Sequence, residues 1–76
     1  MVSEKEMDFV VFCIENLAEY LNMDSKETYR LLSKNRLIDE YIVKNYNVLH
    51  TQSKEWIVED LVEALNKRGC EEYVGK

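Results

Sequence analysis

Acid–base chemistry near neutral pH needs a group that titrates there, and this chain has a single histidine, His50, followed by Thr51 and Ser53. An imidazole beside two hydroxyls could in principle move a proton or activate a nucleophile. The same residues ahead of a polar break more often serve a turn, which ties such side chains to its own backbone. His50 stands alone among groups that could work near pH 7. It is therefore expected to be structural, bonded to a backbone group or a nearby side chain. An enzyme centred on His50 is the weakest of the functional readings. One histidine also cannot make a multi-histidine metal site, and Cys13 and Cys70 lack the paired spacing of zinc ligands. No catalytic residue, metal ligand, cofactor or small-molecule substrate is inferred.

The other pattern with chemical content is a basic stripe. Lys26, Arg30 and Lys34 recur at i, i+4 and i+8, Arg36 follows, and Tyr29 lies beside them. Such a stripe is usually a solvated helix face. It could also meet an acidic partner, or phosphates, if the second and third helices formed a helix-turn-helix. Asp39 and Glu40 oppose the last reading, since they fall where a recognition helix carries its base-reading residues. The net charge of −5 also repels phosphate at long range. Glu55, Glu59 and Glu63 form a matching acidic stripe in the last helix, so the two stripes could pair between protomers.

These residues must be positioned by helices. The chain has no proline and only two glycines, Gly69 and Gly75, too few turn formers for a multi-stranded sheet. Hydrophobic content of 46% and charged content of 33% describe a folded rather than a disordered chain. The spacing predicts helix 1 over about 3–21, opened by a Ser3/Glu6 capping box. Met7, Val10, Ile14, Leu17 and Leu21 form its inward stripe, broadened by Val11 and Ala18. Phe9, Cys13 and Tyr20 form a second stripe, and Phe12 falls among the acids Asp8, Glu15 and Glu19. The run Phe9–Ile14 points in every direction round a helix, so helix 1 should be nearly enclosed or should offer a second face to a partner.

Helix 2 should start at the Asp24/Glu27 capping box and stop at a left-handed Asn35. Helix 3 should run on from about Arg36, with Ile38, Tyr41, Ile42, Asn45 and Leu49 at helical spacing. Gln52-Ser53-Lys54 is a break, and helix 4 continues to Arg68 with Ile57, Leu61, Ala64 and Leu65 inward. A rival reading pairs Trp56-Ile57-Val58 as a short strand with Val48-Leu49. The expected fold is all-α: a compact single-domain bundle of about four helices over residues 1–69, with helix 1 central and 70–76 a loose tail. Cys13 should be a buried hydrophobe and Cys70 exposed, which suits a reducing cytoplasm. The apolar run is too short for a membrane span.

The order of features is similar to that of a family of small bacterial proteins classed as a domain of unknown function. The resemblance lies in Met7-Asp8-Phe9, Cys13-Ile14-Glu15, Ser25–Leu32, Leu37–Ile42, Leu49-His50-Thr51 and Trp56–Leu61, together about residues 6–68. It implies a small helical protein without a catalytic role. Some members are encoded near proteins resembling ADP-ribosyltransferase toxins, which implies an accessory or antitoxin-like binder.

The leading expectation is thus a non-enzymatic protein-interaction module that binds a protein partner or itself. Its contact candidates are Phe9, Phe12, Cys13 and Tyr20 on helix 1, and Lys26, Tyr29, Arg30, Lys34 and Arg36 on the basic stripe. A surplus of Tyr and Trp suits an interface. Duplex DNA should bind weakly and without sequence preference near physiological salt, because four basic residues can hold only a few phosphates. An anisotropy titration giving nanomolar, sequence-selective binding would instead promote the helix-turn-helix. Charge reversal at Arg30 and Lys34 would then abolish it.

Overall fold

The computed structural model describes residues 3–67. In chain order they form α1 (Glu4–Leu21), α2 (Ser25–Lys34), a π-helical segment (Ile38–Val43), the single-turn α3 (Tyr46–Leu49) and α4 (Lys54–Lys67). The fold is all-α, with no strand among the described residues. α2, the π-helical segment and α4 all pack on α1, while α3 packs on the π-helical segment.

Both ends of α1 arise from local chemistry. The Ser3 Oγ accepts from the Glu6 N–H at 3.1 Å, and the Ser3 N–H donates to the Glu6 carboxylate at 3.0 Å, completing the capping box. At the other end Asn22 sits in the left-handed region with φ 58°. The Met23 N–H then reaches the Ala18 carbonyl at 2.9 Å. Asparagine tolerates that region better than most residues, so the chain reverses here without glycine.

Asp24 caps α2 by accepting from the Glu27 N–H at 2.8 Å. Thr28, a buried polar residue, turns its hydroxyl to the Asp24 carbonyl at 2.9 Å, which removes the penalty of burying it. The end of α2 differs from expectation. Asn35 is not left-handed (φ −93°), and Arg36 takes that conformation with φ 60°. The Asn35 Nδ2 donates to the Leu31 carbonyl at 2.8 Å, which holds Asn35 against the helix and moves the reversal one residue on. A left-handed arginine costs about 1 kcal/mol. The turn offsets this by delivering Leu37 to the core, where it is 1% exposed.

The continuous helix expected from Arg36 to Leu49 is also corrected. Leu37 and Ile42 are both buried although five residues apart. On an α-helix they would stand about 140° from one another. The i→i+5 pitch of the π-helical segment brings them onto one face. The chain then breaks at Lys44 and Asn45, where the Asn45 Nδ2 donates to the Tyr41 carbonyl at 2.8 Å. Short α3 buries Leu49. Ser53 opens α4, its Oγ accepting from the Trp56 N–H at 3.1 Å. The candidate strand Trp56-Ile57-Val58 lies within α4, because Ile57, Val58, Leu61 and Leu65 repeat at helical spacing and are all buried. The stop at Arg68-Gly69, Cys70 and the tail over 70–76 lie outside the described residues.

The buried arc of α1 is Val10, Cys13, Ile14, Leu17 and Ala18. It is rotated from the expected stripe: Cys13 is fully inside, whereas Met7 and Val11 are 51% and 45% exposed and Leu21 is half-buried. Leu31 and Leu32 of α2, Leu37, Ile42, and Ile57, Val58, Leu61 and Leu65 complete the core.

This packing has two measurable consequences. Leu17→Ala should destabilise the chain by about 2–5 kcal/mol, most of what so small a domain has. Val11→Ala should change stability by less than about 0.5 kcal/mol. Urea titrations of the two variants check the arc. Burial also pushes the Cys13 thiol up to about 12, leaving almost no thiolate at pH 8. In a Cys70→Ser chain, a thiol reagent at that pH should therefore react only as fast as the protein unfolds.

Candidate functional site

α1 turns an aromatic residue away from the core it organises. Phe12 is 41% exposed and lies almost opposite the buried arc. Its ring stacks on Phe9 (centroids 6.0 Å apart, 18° between planes), and Phe9 meets Tyr46 edge-on at 5.5 Å. Tyr46 stacks on His50 at 4.5 Å and 6°. Four rings thus form a continuous row from α1 across α3. Aromatic pairs of this geometry contribute about 0.5–1.5 kcal/mol beyond area burial, so the row is a fixed feature of the surface.

The row also constrains the chemistry around His50. Its Nδ1 lies 2.7 Å from the Tyr46 carbonyl. A carbonyl can only accept, so Nδ1 carries the proton in this bond. The Thr51 hydroxyl donates to the Val48 carbonyl at 2.7 Å, and the Ser53 Oγ is engaged by the Trp56 N–H. His50, Thr51 and Ser53 are each tied to nearby backbone, as the turn reading expects. Among the described residues, no three His, Cys, Asp or Glu side chains gather as a metal site requires, and no helix is long and apolar enough to cross a membrane. Asp60, beside Tyr41 and Lys67 in a shallow cleft, has its pKa raised by partial burial and by Glu63, with Lys67 opposing.

Beside the aromatic row, α1 and α4 leave a groove of about 350 Å³ lined by Asn16, Glu19, Tyr20, Lys54, Glu55, Val58 and Glu59. Val58 is its buried apolar floor and Tyr20, 60% exposed, its aromatic rim. On α1 the groove begins one turn beyond the row: Asn16 lines the groove, and its Nδ2 donates to the Phe12 carbonyl at 2.8 Å. Around Phe12, α1 presents Asp8 four residues before and Glu15 three residues after, both exposed. The ion pairs of the described residues, Arg36–Glu40 and Lys67–Glu63, both 3.9 Å long and exposed, involve none of Asp8, Glu15, Glu19, Glu55 or Glu59. Glu15/Glu19 and Glu55/Glu59 are instead like charges at i, i+4, which repel.

The candidate residues thus separate. Phe9 and Phe12 come together in the row, with Tyr20 further along the same side of α1. Cys13 is 0% exposed and cannot touch a partner, because it lies on the core-facing arc of α1. Lys26, Tyr29, Arg30 and Lys34 are exposed on α2 opposite its buried Thr28, Leu31 and Leu32, forming a separate face. Arg36 turns towards Glu40. Tyr46 and His50 were not contact candidates on sequence. Their i, i+4 spacing, which makes two rings neighbours on any helical turn, is the signal that could have found them.

No curated protein and no solved structure matches the chain significantly. A family model does match, and over the part of the chain that builds this surface, from Asp8 at the edge of the aromatic row to the end of α4. Residues 8–68 match the family described as "Protein of unknown function (DUF3791)", and the chain belongs to that family.

Proposed function

We propose that this chain is a non-enzymatic, cytosolic protein-interaction module whose contact face is the row Phe12–Phe9–Tyr46–His50. The supporting observation is the row itself. Its leading ring stands exposed on the side of α1 away from the core, where a helix serving only its own fold carries polar residues. Rigid aromatic side chains lose little entropy on binding and are enriched at the energetic centre of interfaces. On the resemblance drawn from sequence, the partner is a toxin-like enzyme of the ADP-ribosyltransferase kind encoded nearby, and this chain is its accessory or antitoxin-like binder.

The rival readings draw less support. A helix-turn-helix inserts the helix after α2 into a DNA groove. Here that position is a six-residue π-helical segment with Asp39 and Glu40 exposed. Catalysis at His50 draws less support because its Nδ1 and the Thr51 hydroxyl are already bonded to backbone carbonyls.

Capture from the native cell with the tagged chain tests the reading, using Phe12→Ser as the comparison. The expected result is a protein retained by the wild type and reduced about tenfold or more by Phe12→Ser, with the variant still folded and its stability lowered only by what one lost ring stack costs, about 0.5–1.5 kcal/mol. Retention that is unaffected by the substitution, or no specific retention at all, would overturn the aromatic face as the contact.

A further inference from the structure

We infer that the α1–α4 groove and the adjoining aromatic row receive a basic amphipathic helix of the partner protein, with apolar side chains inward and Lys or Arg along its flanks. The inference rests on the protein-binding reading above and adds the chemistry of what is bound. Shape argues for a helix. The surface lies between two helices over a buried apolar floor, the setting of helix-in-groove recognition, and no sheet edge among the described residues offers itself to an extended strand. From Asp8 to Tyr20, α1 rises about 18 Å, the length of roughly three turns of a docked helix. Along that length the apolar contacts are Phe12, Phe9, Tyr20 and the floor at Val58, an elongated strip rather than a round pocket.

Charge argues for the sign. The groove lining sets the carboxylates of Glu19, Glu55 and Glu59 against the single ammonium of Lys54. Asp8 and Glu15 continue the negative border past Phe12. These carboxylates form no ion pair among the described residues, and Lys54 is the one cation of the groove lining set against the repulsion between those four apart. Cations on an incoming helix would relieve it while the apolar strip is covered. An acidic or neutral helix would meet the same strip but add to the repulsion or leave it in place.

The probe is a three-turn amphipathic helix of leucine and lysine, with its leucine–glutamate counterpart as control, titrated into the full ¹⁵N-labelled chain. The lysine peptide should shift the amides of Asn16, Tyr20 and Val58, and its binding should weaken as salt is raised past about 0.15 M. The glutamate peptide should leave those amides unmoved. Glu19→Lys/Glu59→Lys should weaken the lysine peptide about tenfold or more. Glu19 lies in the last turn of α1, where a cation suits the helix dipole, so this variant should fold. Asp39→Lys/Glu40→Lys makes the same change in net charge away from the groove and should have little effect.

Equal binding of the two peptides would overturn the inference, as would equal weakening by the two double variants. Wild-type self-association that is lost in Glu19→Lys/Glu59→Lys would overturn it too, since the occupant would then be a second copy. If the lysine peptide fails while cellular capture still depends on Phe12, the protein-binding reading stands and the basic helix falls. If Phe12→Ser changes nothing in the cell, the reading itself falls.

Discussion

Everything in this fold answers to the width of the arc that α1 must hide. From Cys13 round to Ala18 the buried residues occupy about 140° of its circumference, more than one neighbouring helix can cover. The rest of the chain has to come back to α1 repeatedly, and α2, the π-helical segment and α4 each do so. Returning that often within so short a chain demands abrupt breaks. Proline is absent, and glycine does not occur before Gly69. The breaks therefore fall to Asn22, which takes the left-handed conformation and bonds back through its own N–H, and to the side chains of Asn35, Asn45 and Ser53, which satisfy backbone groups at helix ends. Asn16 makes the same side-chain bond to the carbonyl four residues back without ending its helix, so the bond allows a break and does not impose one.

Features governed by neighbours in sequence were legible before the structure. The Ser3/Glu6 capping box, the Asp24 cap, the break at Ser53 and the burial of Ile14, Leu17, Ile57, Leu61 and Leu65 all come from spacing and local hydrogen bonding. What escaped depended on partners far along the chain. Periodicity treats Met7, Val11 and Val10 as one stripe; only the placement of α2 and α4 decides that the arc swings towards Cys13. The left-handed residue slipped from Asn35 to Arg36 because the asparagine amide found the Leu31 carbonyl, a competing bond that residue preferences do not rank. Asn22, which closes α1 in the left-handed region, was not read from sequence. The exposed Phe12 was visible on sequence as a misfit, but its continuation through Tyr46 to His50 required two elements to meet.

The surface shows a division of labour between the two sides of α1. Inward, the polar residue Thr28, buried in the core of the described residues, is satisfied by the backbone, while the Asn66 Oδ1 is buried without a partner. Outward, Phe12 and His50 stand exposed at the ends of the ring row, half-buried Phe9 ties it to the core, and several carboxylates flank it. Like charges four apart cost a few tenths of a kcal/mol each.

The π-helical turn gives chain length a role of its own. Bonding at i→i+5 stores one residue more than an α-helix needs to cover the same rise. Were Ile38–Val43 to relax into α-helical bonding, the surplus residue would pass downstream, and α3 would lag by about 100° in phase. Tyr46 would swing away from Phe9, and the row of rings would part in the middle with every side chain intact. The segment therefore works as a spacer that sets the angular phase between α1 and α3. A relative lacking one residue here would cover the same rise with α-helical bonding, set the counterparts of Leu37 and Ile42 four apart on one face, and keep α3 in phase.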